Sequence, residues 1–217
     1  MYPSGVKFIV TALDLKTMTP AGYDAVIGQI PAAGEKLAKE GANAIVLMGT
    51  SLTFYRGAAF NDHLRDLLNK TTGLPATTMS TGVVEGLRAV GARRVVAATA
   101  YDMEVNRRLQ TFLKESGFEV LGVQGLGIEK VEDVNRVTQD GLLKFCVGVR
   151  ETQPAANAIL VSCGGLRTLE ILAPLEKQAH IPAISSTPHA LWAGVRLLGL
   201  SGRAAGFGTL LSRKEGS

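Results

Sequence analysis

The sequence predicts an α/β protein built as two similar parallel-sheet α/β halves related by a pseudo-two-fold, with an active site in the cleft between them. Three observations lead there. Short β-branched runs alternate with longer helical patterns, the order that parallel strands with crossover helices require. Glycine is plentiful, at 25 residues, as expected where many tight strand-to-helix turns are needed. The chain also repeats itself: residues 44–51 align with 158–165 without a gap, and residues 73–80 align in the same order with 180–187. Both copies then run into helices, ending at 85–91 and 193–199.

Taken in order, strands are expected at 7–13, 44–48, 94–98, 119–123, 158–161 and 182–185. Thr19 and Pro20 supply an N-cap and a proline at the first helical position for a helix that Pro31 should break or kink. Residues 32–40 continue, and Gly41 stops them. Further helices are expected at 58–70, 81–90, 102–115, 131–150, 166–178 and 188–198, with Gly91 and Gly117 where helix-terminating glycines belong. The repeat divides the chain into a first half, 1–91 with the C-terminal 188–217, and a second half, 92–187, which carries a cysteine loop.

Composition narrows the function. The 217 residues are 46% hydrophobic and 19% charged, with Lys+Arg 23 against Asp+Glu 19 and a net charge of +4. Disorder needs the opposite balance, and two cysteines do not staple a chain of this length. Charges interrupt each long apolar stretch, so no membrane span is expected. The opening residues show no basic n-region ahead of a cleavable apolar core, so no signal peptide is expected and the reading is cytoplasmic. Basic residues fall in ones and twos without interleaved aromatics, a solvated surface and not a nucleic-acid stripe. A monomer is favoured, the oligomeric state being otherwise open.

In open α/β sheets ligands sit beyond the carboxyl ends of the strands, so the loops 48–53 and 162–166 should face one pocket. Gly49 and Cys163 occupy equivalent positions in the repeat, giving one thiol and an empty position opposite. A thiol between a strand and a helix start is expected to have a lowered pKa and to serve as an acid or base; a small buried hydrophobe is the plain alternative. Gly164 and Gly165 let a ligand approach backbone N–H groups. Cys146, among Leu142, Leu143, Phe145 and Val149, reads as core. The stretch 49–57 is dense in hydroxyls and amide donors and suits a carboxylate or enolate oxygen, or simply caps a helix. Tyr101 follows a strand and offers a further donor, or is a half-buried tyrosine at a turn. His63 and His180 read as surface residues; for His189, near Ser186 and Thr187, contact with the pocket is the lesser of two readings. No phosphate loop, dinucleotide fingerprint or metal-ligand spacing is present, and neither cofactor nor metal is expected.

Residues 48–61, 77–81, 98–101 and 160–166 resemble the arylmalonate decarboxylases of the aspartate/glutamate racemase superfamily, and the similarity runs from about Thr19 to Leu200. Racemases of that superfamily carry two cysteines, one on each face of the substrate. This chain keeps Cys163 and has Gly49 at the other position. The resemblance therefore implies cofactor-free decarboxylation of an α-aryl or alkenyl malonate, a small dicarboxylate, to one enantiomer of the monoacid. It further implies that Thr50, Ser51, Tyr101 and the Gly164 amide hold the retained carboxylate as a dioxyanion hole. Leu15, Met18, Leu52, Val131 and Val134 would form an apolar pocket for the departing carboxylate, and Cys163 would protonate the enediolate. Family members begin with a further strand and a proline-bearing loop that this sequence does not contain, so either 7–13 is rearranged or the first sheet is one strand short. A single-cysteine racemase or isomerase and a catalytically silent carboxylate binder remain as alternatives.

Overall fold

The computed structural model describes residues 1–2 and 5–213; positions 214–217, the end of the expected first half, lie outside them. Two parallel sheets form. In the first, β1 (Ile45–Leu47) pairs with β2 (Ala76–Thr78); the second has β3 (Arg94–Thr99), β4 (Glu119–Gly125), β5 (Ala158–Ser162) and β6 (Ala183–Ser185) in the order β4-β3-β5-β6. Ile45 stands opposite Ala76 and Ile159 opposite Ala183, which are equivalent pairs in the sequence repeat. The two sheets therefore share register as well as sequence, and the α/β class with its repeated unit is realised. β2 is the strand the sequence reading left out: its Ala-Thr-Thr has no bulky apolar residue to mark it, although the repeat pairs it with β6.

Helix α1 (Pro20–Ile27) starts as expected, the Thr19 hydroxyl accepting from the Gly22 amide, and α2 (Ile30–Lys39) restarts with Pro31 in its first turn. A five-residue helix, α3 (Thr50–Phe54), follows β1 where only a loop is expected, and α4 (Ala58–Thr72) lies behind it. α5 (Met79–Ala89) begins two residues earlier than its hydrophobic pattern suggests, because Thr78 caps it through the Thr81 amide. α6 (Met103–Glu115) is capped by Asp102.

Three expectations are corrected. Residues 7–13 form no strand: they make no ladder contacts, Val10 is 85% exposed, and Asp14 turns the chain at a φ of 59°. Their β-branched composition fits a pleated surface but finds none to lie on, and among the described residues the first sheet has two strands. The helix expected over 131–150 is broken. Val131–Arg136 winds as a 3-10 turn, and α7 (Gln139–Glu151) starts afresh where the Thr138 hydroxyl accepts from the Gly141 amide. Likewise 166–178 is loop, then a 3-10 turn at Leu169–Ile171, then α8 (Leu172–Ala179).

α9 (Ser186–Arg196) and the short α10 (Thr209–Ser212) complete the order. α5 and α9, equivalent in the repeat, cross at Gly82, where a Cβ would come within 2.8 Å of the Ala190 backbone. Each reaches the other unit's sheet: Gly86 of α5 faces Ile184 of β6, and Gly194 of α9 faces Val46 of β1. This crossing brings the carboxyl ends of β1 and β5 together. Among the described residues no helix is long and apolar enough to cross a membrane.

Candidate active site

The site is assembled at that junction. Cys163 directly follows β5 and is 3% exposed. Its amide donates to Ser186 Oγ at 3.2 Å, and Ser186 Oγ also accepts from Thr50 Oγ1 at 2.7 Å. One hydroxyl of α9 thus joins the thiol loop to the first turn of α3. Thr50 Oγ1 lies equally close, at 2.8 Å, to the sulfur of Met79, the repeat equivalent of Ser186. The internal symmetry extends to the backbone: Ser80 Oγ donates to the Thr50 carbonyl at 3.0 Å, and its equivalent Thr187 Oγ1 donates to the Gly164 carbonyl at 2.9 Å. Two loops held by equivalent hydrogen bonds therefore carry different chemistry, hydroxyls in a helical turn on one and a thiol in an open loop on the other.

Gly49 caps α3 at a φ of 146°, and a Cβ there would meet Leu52 Cβ at 3.2 Å. Thr50 and Ser51 are buried in the first turn of α3, which no side chain caps. The amide of Gly164 donates to no protein acceptor among the described residues, and Gly164 is exposed. Tyr101 is buried between Phe54, edge-on at 5.8 Å, and Ser162, whose Oγ is 3.3 Å from its hydroxyl. Burial, and next the nearby Cys163, push its phenol well above the ordinary range.

On the apolar side, Met18 Sδ lies 3.8 Å from Cys163 Sγ, and Val134 packs against the Cα of Gly165. Met18, Val134 and Leu52 are buried, while Leu15 and Val131 are half-buried against the same core. The Lys16 carbonyl accepts from the Val131 amide at 3.1 Å, and Thr17 bridges Lys130, so the loop before α1 is tied to the 3-10 turn that carries Val134.

The thiol corrects one expectation. Its pKa is raised from 9.0 to about 11, because burial outweighs the hydrogen bonds from the Gly165 and Leu166 amides that pull it down. The loop after β5 leads into no α-helix until Leu172, so two amides act where a helix terminus is expected. His189 takes the reading away from the pocket. It is buried in the core beside Gly86 with Nδ1 accepting from the Ser185 amide at 2.9 Å, and burial lowers its pKa to about 4. Cys146 is core, as expected, with burial raising its pKa to about 12. His63 and His180 are exposed.

Sequence reasoning missed two residues. Ser186 was findable, since it is the repeat partner of Met79 beside Thr50. Tyr23 was not. Its hydroxyl is buried without a hydrogen-bond partner, and burial drives its phenol pKa up, with the nearby Ser51 hydroxyl pulling the other way. A buried, unpartnered phenol is rare in a folded protein and marks Tyr23 as a candidate member of the site. Among the described residues no three His, Cys, Asp or Glu side chains converge as a metal site.

The family model for arylmalonate decarboxylase matches residues 1–211. The arylmalonate decarboxylase of Bordetella bronchiseptica is 46% identical over 211 residues, 97% of this chain and 88% of that protein. A crystal structure of an arylmalonate decarboxylase, liganded and carrying a glycine-to-cysteine and a cysteine-to-serine exchange, superposes with a TM-score of 0.95 at 45% identity, covering 97% of this chain and 90% of that one. The maleate cis-trans isomerase of Nocardia farcinica, at 19% identity over 97% of this chain and 87% of its own, shares the fold with a TM-score of 0.90. The chain belongs to the arylmalonate decarboxylase family.

Proposed function

We propose that this chain decarboxylates α-aryl or alkenyl malonates without a cofactor and releases one enantiomer of the monoacid. The observation that carries the reading is the pairing of unlike loops in a like frame: a single protonated thiol, Cys163, tied through Ser186 to the hydroxyl turn Thr50–Ser51, with Gly49 where a second thiol would stand. In this reading the two halves, 1–91 with 188–217 and 92–187, contribute one loop each.

One carboxylate of the substrate is retained. Thr50, Ser51, Tyr101 and the Gly164 amide donate to its oxygens, and Tyr23 adds the hydroxyl that has no partner of its own. The other carboxylate lies among Leu15, Met18, Leu52, Val131 and Val134, where an anion is poorly solvated and neutral CO₂ is not. The bond from the α-carbon to that carboxylate breaks, and its electron pair passes through the α-carbon onto the retained carboxylate as an enediolate. Donors aimed at those oxygens stabilise the enediolate more than the substrate, which lowers the barrier. The Cys163 S–H then gives its proton to one face of the α-carbon, and the thiolate regains a proton from solvent.

The test is CO₂ release from phenylmalonate by the purified chain with no added cofactor. Cys163→Ala should cut the rate about 10²–10⁴-fold, the range for losing a positioned general acid, while leaving the chain folded. Full activity in that variant ends the proposal. A wild-type chain that binds the diacid without turnover is a carboxylate binder instead.

A further inference from the structure

The donors gathered around the pocket come from elements that the sheets do not hold directly. Tyr23 rides on α1, which follows a loop anchored mainly by the Met18 amide on the Glu129 carbonyl and the Thr17–Lys130 bridge. Only Tyr23 and Val26 of α1 are buried. Thr50 and Ser51 sit at the other end of α3 from Tyr55. Behind the pocket these pieces meet. The Tyr55 ring lies 5.0 Å from the Tyr23 ring, its hydroxyl donates to Asp24 Oδ1, and Arg56 Nη2 donates to the same oxygen at 2.6 Å. Arg108 of α6 donates to the Tyr55 carbonyl at 3.0 Å and pairs with Glu104 at 2.8 Å; α6 is the helix that follows Tyr101. Arg56 also lies over the Tyr55 and Phe60 rings at 5.1 Å each.

Asp24 makes the only side-chain hydrogen bonds that leave α1 among the described residues. We propose that Asp24 is a positioning residue: by gripping Tyr55 and Arg56 at the end of α3, it fixes α1 against α3 and so sets Tyr23 in register with Thr50 and Ser51. It touches no substrate and acts through Tyr23. This rests on the decarboxylase reading. A merely structural role explains the cluster poorly, because the Asp24 and Arg56 side chains are 50% and 48% exposed, and ion pairs so exposed contribute little to stability. Geometry has more leverage, since a misplacement of about 1 Å in a donor array can cost up to about a hundredfold in rate.

The experiment is a double-mutant cycle between Asp24→Asn and Tyr23→Phe, with Tyr55→Phe as a milder variant that keeps the ring against Tyr23 but loses the bond to Asp24. Asp24→Asn and Tyr55→Phe should each lower kcat on phenylmalonate about tenfold with KM moved less than about threefold, the pattern of an interaction lost in the transition state. Asp24→Asn made in the Tyr23→Phe background should then change kcat by less than about twofold, because the donor it serves is gone. A kcat within about twofold of wild type in both Asp24→Asn and Tyr55→Phe overturns the proposal. So does an equal loss with and without Tyr23. Wild-type turnover judges the decarboxylase reading by itself. If it is absent, the same cycle is read in the dissociation constant of phenylacetate, with the same ratios expected and the same equal losses overturning it.

Discussion

The thiol's protonation state decides whether Cys163 can deliver a proton, and iodoacetamide reads it directly. Only the thiolate is alkylated. Moving the pKa from 9.0 to about 11 lowers the thiolate fraction near pH 7.5 about a hundredfold. The more basic sulfur is intrinsically more nucleophilic, by roughly tenfold over two units at a Brønsted slope near ~0.5. The net expectation is that Cys163 reacts about tenfold more slowly than an unfolded cysteine, before any shielding. Shielding is real, since the residue is 3% exposed, but it does not depend on pH. The discriminating quantity is therefore the slope. Followed by peptide mass spectrometry, which separates Cys163 from Cys146, the rate should climb about tenfold per pH unit without a plateau below pH 10. A plateau below pH 9 would mean that the Gly165 and Leu166 amides outweigh burial. Cys163 would then rest as a thiolate in alkaline solution, and its role as proton donor would fail there.

Other outcomes follow from the same geometry. His189 is neutral in the core with a pKa of about 4 against 6.5 when free. The unfolded chain therefore binds the extra proton as pH falls between those values, and native stability drops by about 3 kcal/mol across that window while staying intact above it. Urea melts at pH 7 and pH 4.5 should show most of this fall, about 2 kcal/mol, and His189→Gln should flatten it; an unchanged acid limb refutes the assignment. Ser186→Ala strips the acceptor from the buried Cys163 amide and should cost about 1–3 kcal/mol, seen as a fall of roughly 2–4 °C in Tm per kcal/mol. A Tm equal to wild type would mean that water or another group takes its place. Gly49→Cys places a side chain at a φ of 146° against Leu52, a strain of about 1–3 kcal/mol. In a folded variant the second thiol should wash solvent deuterium into 2-phenylpropionate, and no exchange there would count against opposed thiols.

Much of this was legible in the sequence, because it depended on local pattern or on the repeat. The gapless match of 44–51 with 158–165 placed Gly49 and Cys163 at equivalent strand ends, and the two sheets pair in the same register. What was not legible depended on residues meeting from far apart. The thiol's raised pKa comes from burial, with residues as distant as Met18, 145 positions away in the chain, packed close to it, and local amides only partly offset that burial. The isolation of the Tyr23 hydroxyl cannot be read from a helix that otherwise looks like surface. Residues 7–13 misled for the complementary reason: they have the composition of a strand, and pairing is a property of the partner, not of the segment.

The broken symmetry is what gives the proposed chemistry its direction. A two-fold pocket with the same acid on each loop would deliver and remove protons on both faces, and its product would be racemic at equilibrium. Here the backbone frame is kept, down to the paired Ser80–Thr50 and Thr187–Gly164 hydrogen bonds, while the side chains at the two loop tips diverge. On the proposed mechanism, glycine at 49 removes the acid from one face, and the adjoining Thr50 and Ser51 make that loop the holder of oxygen. On the same proposal Cys163 keeps the acid on the other face, and the Gly164 amide after it is left without a protein acceptor among the described residues. A planar enediolate held by the first loop is then open to the proton of the second from one side only. On this proposal the handedness of the product follows from which loop kept its sulfur.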